Sequence, residues 1–240
     1  MKNKILDSSF SSVPSCLCEK KNNIGRLISF EGPEGGGKST HIHLLAERLR
    51  TEKGLTILTT REPGGTPTGE LIRGLLQHNA AGEPLCDRAE ALLFCASRSQ
   101  LCHDVLAPAL SRGEWVLCDR FTDSTLAYQG YGRGFDLETL RRLNDFATGP
   151  AVTPSLTLLL DVPTELGMRR ITARGGADGL KDRIECEDLD FHKRLRNGYL
   201  ELARHEPTRI AVIDATQPVA TVAAQIWNIV CERLLGQGGK

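Results

Sequence analysis

Short unbroken apolar runs alternate along this chain with stretches whose apolar residues return every three to four positions. Arg26-Leu27-Ile28-Ser29-Phe30 is the first run, and a glycine-rich turn follows it. Thr40 to Arg50 then places Ile42, Leu45, Ala46 and Leu49 on one helical face, with Gly54 as the stop. Four further runs read as strands: Leu55–Thr59, Trp115–Cys118 before Asp119, Ser155–Leu160 before Asp161, and Arg209–Ile213 before Asp214. Helical spacing is predicted over Thr68–Gln77, Asp123–Tyr128, Leu137–Phe146, Thr164–Ala173, Leu189–Arg204 and from Pro218 onward. Leu85–Leu110 reads as one long helix, bent because Pro108 falls inside it. Continuous apolar strands alternating with helices predict an α/β fold: a parallel sheet of five strands covered on both faces. Ligands in such folds sit at the carboxyl ends of the strands. Gly32, Arg61, Asp119 and Asp161 fall there.

Two stretches break the alternation. Residues 1–23 are polar and aperiodic and read as a flexible extension to a single domain over 24–240. Residues 174–185 are rich in Gly, Asp and Arg with few apolar positions, so an exposed mobile segment is predicted.

Composition narrows the partners. Of 240 residues, 30 are Lys or Arg and 30 Asp or Glu, so the net charge is zero. Broad electrostatic binding to nucleic acid or an anionic membrane is disfavoured, and any anion site must be local. No apolar stretch approaches the length of a membrane span. Among the eight cysteines, Cys95, Cys102, Cys118 and Cys231 lie in apolar segments and no secretory signal precedes them, which points to a reducing cytoplasm. Cys16 and Cys18 are the only close pair, and zinc would need two more ligands.

The chemistry is concentrated in Gly32-Pro33-Glu34-Gly35-Gly36-Gly37-Lys38-Ser39, a complete G-x-x-x-x-G-K-[ST] between a strand and a helix. Glycines allow backbone N–H groups to turn inward around phosphate oxygens, and the helix start adds its dipole. Lys38 is placed to reach the β- and γ-phosphates of ATP, and the Ser39 hydroxyl to ligate Mg²⁺. Thr40 completes the ATP-binding set. His41 and His43, two apart, share no helix face and meet no metal-ligand spacing. No Asp has Gly three residues on, and N-K-x-D is absent, which argues against a GTPase switch. The strand ends instead carry Arg61-Glu62 and Asp119-Arg120. Two arginines on neighbouring strand ends predict a second phosphate site beside the first, as in an enzyme passing a phosphoryl group from ATP to a phosphorylated acceptor.

Thr60-Arg-Glu-Pro-Gly-Gly-Thr66, Leu93-Phe-Cys-Ala-Ser-Arg98, Asp119-Arg-Phe-Thr-Asp-Ser124 and Leu126-Ala-Tyr-Gln-Gly130 together resemble bacterial thymidylate kinases. The resemblance runs from about residue 24 to 235, as judged from these motifs, and leaves the N-terminal extension outside. It implies the P-loop nucleoside monophosphate kinase fold with a mobile lid, dTMP and ATP as substrates, Mg²⁺ as cofactor, dTDP as product and a homodimer. It implies that Phe94 stacks on thymine and Arg98 donates to a thymine carbonyl. Arg61 and Arg120 would grip the acceptor phosphate, with Glu62 and Asp119 organising Mg²⁺ and its waters. Ser124, Thr125 and Gln129 would complete the base and sugar contacts, Tyr128 would crowd the ribose 2′ position, and Glu34 would accept from the 3′-OH. This P-loop holds no arginine, so the resemblance is to the type whose lid delivers one, with Arg174 and Arg183 as the candidates. The rival readings are a kinase of another nucleoside monophosphate, such as dUMP or dCMP, and an ATP-binding regulator without catalysis.

Overall fold

In a computed structural model of the chain, residues 25–78, 82–174 and 183–236 are described. The expected extension 1–23, with Cys16 and Cys18, lies outside them, as does most of the lid segment. Five parallel strands form one sheet in the order β2-β3-β1-β4-β5: β1 Arg26–Glu31, β2 Ile57–Arg61, β3 Trp115–Asp119, β4 Leu156–Asp161 and β5 Ile210–Asp214. Helices α1 (Lys38–Lys53) and α9 (Val219–Val230) pack on one another over one apolar cluster built on Ile28, Phe30, Leu117, Leu158 and Leu160. A second cluster holds β4's Leu159 with Leu126, Leu195 and Tyr199, and a third holds Leu27, Val116, Leu101 and Leu106. Burying a leucine such as Leu27 or Leu117 completely is worth about 1.5–3 kcal/mol.

The differences from the predicted elements have local causes. β2 begins at Ile57 rather than Leu55, because Leu55 N–H closes the end of α1 on the Leu49 carbonyl beside left-handed Gly54. At its other end β2 runs on to Arg61, which pairs in register with Asp119. The long helix is α3 (Asp87–Leu101), a π-turn over Cys102–Leu106 and α4 (Ala107–Ser111). Ala107 N–H reaches back five residues to the Cys102 carbonyl. The wider turn just before Pro108 accommodates a residue that cannot donate and whose ring crowds the preceding turn.

The helical stretch after β3 is likewise α5 (Thr122–Thr125) followed by a π-turn over Leu126–Gly132. The described residues also form helices α2 (Pro67–His78), α6 (Leu137–Thr148), α7 (Thr164–Arg174) and α8 (Leu189–His205), and a π-turn over Cys231–Leu235 extends α9. The end of the segment expected to be exposed and mobile is packed instead: Ile184 is buried in the second cluster.

Candidate active site

The glycine-rich loop leaves β1 and enters α1 at the carboxyl edge of the sheet. At Gly35 (φ 76°) the left-handed backbone and the Gly167 carbonyl, 2.5 Å from where a Cβ would stand, leave no alternative to glycine. Lys38 is buried, and its Nζ donates to the carbonyls of Gly32 and Pro33, both at 3.1 Å. Burial pushes its ammonium below the usual lysine range. Arg170 of α7 donates to Gly35 O at 3.2 Å and to Ala215 O at 2.9 Å, fastening the loop to the end of β5. Ser39 Oγ donates to Asp119 Oδ2 across 3.0 Å, joining the start of α1 to the end of β3. A hydroxyl and a carboxylate converging in this way are hard oxygen donors of the kind Mg²⁺ takes, so the residues present fit that ion.

Arg120 follows Asp119 and is the one described non-glycine residue with positive φ, at 70°. Such a conformation is costly and persists only where the surroundings fix it. Arg120 N–H donates to Phe30 O at 2.9 Å, and the next N–H, of Phe121, donates to Glu31 Oε1 at 2.7 Å. The guanidinium donates to Gly32 O (3.1 Å), the Tyr199 hydroxyl (3.1 Å) and Glu34. The Tyr128 hydroxyl donates to the same Glu34 carboxylate at 3.1 Å. Burial alone would raise the Glu34 carboxyl, but Arg120 and Lys38 outweigh it and hold it near 2. Beneath lies Glu31, wholly buried, which also accepts from Ser124 Oγ (2.6 Å) and the Tyr199 hydroxyl (3.0 Å). Burial first, then neighbouring Asp123, raises its carboxyl to about 7.

One groove is lined by Gly35, Lys38 and Ser39, by Asp119 and Arg120, and by Phe94, Thr125, Tyr128 and Gln129. Phe94 is half-buried, and Gln129 Nε2 donates to Glu90 Oε1 at 2.8 Å. Arg61 lines the groove too, exposed, with Nη2 at 3.0 Å from both oxygens of Glu70.

Three expected site residues are held by protein partners, and two of them, Arg98 and Glu62, line the groove. Arg98 is buried, and its five N–H donors all have protein acceptors: Glu62 Oε2 twice, Thr125 Oγ1, Asn144 Oδ1 and the Phe121 carbonyl. A base carbonyl would have to share one of these donors, because a guanidinium has no sixth. Glu62, expected with Asp119 at the metal, stands next to it, its N–H donating to the Asp119 carbonyl at 2.9 Å; its carboxylate accepts from Arg98 at 2.7 Å and leaves Oε1 buried without a partner. Arg183, expected near the transferring phosphate, donates to Glu90 and to the Leu76 carbonyl, so the structure does not bring it to the P-loop. Arg174 ends α7, and its side chain and residues 175–182 lie outside the described residues.

Sequence reasoning overlooked Glu31, Tyr199, Glu90, Arg133 and Arg73, the last of which lines the groove and donates to the Pro63 carbonyl at 3.0 Å. Glu90 had a signal, since Glu90, Phe94 and Arg98 recur at four-residue spacing on one face. Tyr199 had none, because α8 brings it from 79 residues beyond Arg120.

A parallel sheet with a P-loop after β1, a hydroxyl–carboxylate pair beside it and a strained arginine at the neighbouring strand end define a phosphotransferase of the P-loop class. The chain matches the thymidylate kinase family over residues 30–226. It is 52% identical over 208 residues to the thymidylate kinase of Synechococcus sp. (strain JA-2-3B'a(2-13)), covering 87% of this chain and 95% of that protein. With the thymidylate kinase of Deinococcus radiodurans it shares 50% over 210 residues, covering 87% and 98% respectively. A crystal structure of thymidylate kinase from Ehrlichia chaffeensis superposes with a TM-score of 0.68 at 33% identity, covering 86% of this chain and 98% of that one. The chain belongs to the thymidylate kinase family.

Proposed function

We propose that this chain transfers the γ-phosphoryl group of ATP to dTMP, yielding dTDP and ADP. The observation that carries the reading is one groove lined together by Lys38 and Ser39 of the P-loop, by Arg120, and by Phe94 and Gln129. An acceptor phosphate oxygen attacks the γ-phosphorus while the bond to the β–γ bridging oxygen breaks. The attacking oxygen is already ionised, so no protein base is required; positioning and charge neutralisation suffice. Lys38 and Arg120 supply the positive charge, Arg61 can leave solvent-exposed Glu70 for the acceptor phosphate, and Phe94 offers its ring to the base. Glu34, which both Arg120 and Tyr128 hold, faces the sugar. Ser39 and Asp119 would hold Mg²⁺, which would supply charge neutralisation at the phosphates.

The test is steady-state turnover with a panel of nucleoside monophosphates. A kcat/KM highest for dTMP is expected. A higher value for dUMP or dCMP supports the rival kinase, and ATP binding without any turnover supports a regulator.

Among the described residues no helix is long and apolar enough to cross a membrane. We place the chain in a reducing cytoplasm, a reading supported by Cys95, Cys102 and Cys118, which are buried and used as small apolar side chains. A homodimer is supported by Leu71, Leu92 and Phe146, which are 75%, 56% and 89% exposed on α2, α3 and α6, where α2 and α6 both pack on α3. Phe146→Glu is expected to shift a light-scattering mass toward the monomer; an unchanged mass would assign this face to something else.

A further inference from the structure

Beneath the base end of the groove lies a carboxylate that no step of the proposed reaction uses. Glu90 of α3 is 1% exposed. Its oxygens accept from Gln129 Nε2 at 2.8 Å, from Arg133 Nη2 at 3.1 Å and from Arg183 Nη2. Burial would favour its neutral form, but the hydrogen bonds from Arg133, Arg183 and Gln129 outweigh it and keep the carboxyl below its usual range. Arg133 in turn meets Glu187 at 2.6 Å and Asp87 at 3.4 Å, so both flanks of the cluster are tied down.

An ionised carboxylate can only accept hydrogen bonds. The Gln129 amide must therefore turn its NH₂ toward Glu90, which sets its carbonyl oxygen on the opposite side of the amide group. Gln129 lines the groove at the end where Phe94 offers its ring. We propose that Glu90 is a specificity-positioning residue: by holding Nε2 of Gln129 it makes Oε1 the atom that reads position 3 of the pyrimidine. A uracil-type ring carries N3–H, a donor that Oε1 can accept. Cytosine carries a lone pair there, and two acceptors face to face repel. The amide would thus select thymine partly by rejecting cytosine. This inference rests on the proposal that dTMP is the acceptor.

Glu90→Gln keeps the shape and removes the acceptor-only constraint, because an amide can pair with either orientation of Gln129. kcat/KM is measured for dTMP and for dCMP with the parent enzyme and the variant. The dTMP-to-dCMP ratio is expected to fall about tenfold or more in E90Q. A role confined to holding the fold would lower both values together and leave the ratio in place, and that result overturns the proposal. Gln129→Met supplies a second route should E90Q fold poorly. It deletes the reading atom while Glu90 keeps Arg133 and Arg183, and it should collapse the same ratio; a retained ratio again overturns the proposal. No turnover of dTMP by the parent enzyme overturns both the functional reading and this inference. Parent preference for dTMP that persists undiminished in E90Q and Q129M overturns this inference alone.

Discussion

Replacing Arg98 by methionine keeps most of the side-chain stem and removes the guanidinium. The residue is 1% exposed, and all five of its donors are engaged. Its loss strands the Glu62 carboxylate, 5% exposed and already holding one oxygen without a partner. Breaking a buried pair by deleting one member costs about 3–5 kcal/mol, chiefly because the remaining charge stays desolvated. For a chain of this size each kcal/mol moves the melting midpoint by about 2–4 °C, so R98M is expected to melt roughly 6–20 °C below the parent.

Two further arms isolate the cause. Adding Glu62→Gln removes the stranded charge and should restore a large part of the loss in a double-mutant cycle. In R98M alone, burial raises the Glu62 carboxyl without opposition from arginine. An acid whose folded pKa lies above its unfolded value binds a proton on folding, so its contribution is complete on the acid side and is lost as pH rises. The R98M deficit should therefore be smaller at about pH 5 than at about pH 8. A variant that melts within about 2 °C of the parent, or a deficit that E62Q does not relieve, refutes the reasoning. Either outcome would return Arg98 to the simpler part of a base contact with no structural duty.

Lys38→Ala should fold normally yet lose about 10²–10³-fold in kcat, because a donor aimed at developing phosphate charge is gone; near-parental turnover in a folded variant would remove Lys38 from the chemistry. Phe94→Ala should forfeit stacking of about 1–3 kcal/mol and raise the KM for dTMP about tenfold or more, with ATP affinity unchanged. Saturation curves in each substrate check this, and a loss confined to ATP would place α3 at the wrong end of the groove. Glu31→Gln should flatten the pH dependence of unfolding free energy. The parent's Glu31 carboxyl lies near 7, well above an unfolded glutamate, so its contribution fades as pH rises from about 4.5 through about 7, on the order of 3 kcal/mol in all. Denaturant titrations across that range that superpose for parent and variant would show that Glu31 does not titrate there.

Much of this molecule follows from local pattern. The five strands, the P-loop and the helix it opens are written in short-range periodicity and in glycines whose backbone conformation other residues resist, so spacing alone located Lys38, Ser39, Asp119 and Arg120 at one sheet edge. Which side chains serve one another was not legible, because that depends on contacts between residues far apart in sequence. Glu62, just past the end of β2, and Asp119, at the end of β3, looked alike in sequence, yet buried Arg98 binds the Glu62 carboxylate from 36 residues away, while Ser39 binds that of Asp119. Arg183 is drawn to Glu90 across 93 residues, because a buried carboxylate needs cations about it. Glu31 lies just past the apolar run Arg26–Phe30 and carries no signal of its own in the sequence. Only the packing of α8 against the π-turn after α5 brings Tyr199 over it and turns that charge into the support of a strained arginine. Backbone geometry is set by neighbours along the chain, whereas the pairing of buried charges is set by which partners the fold encloses with them, away from water.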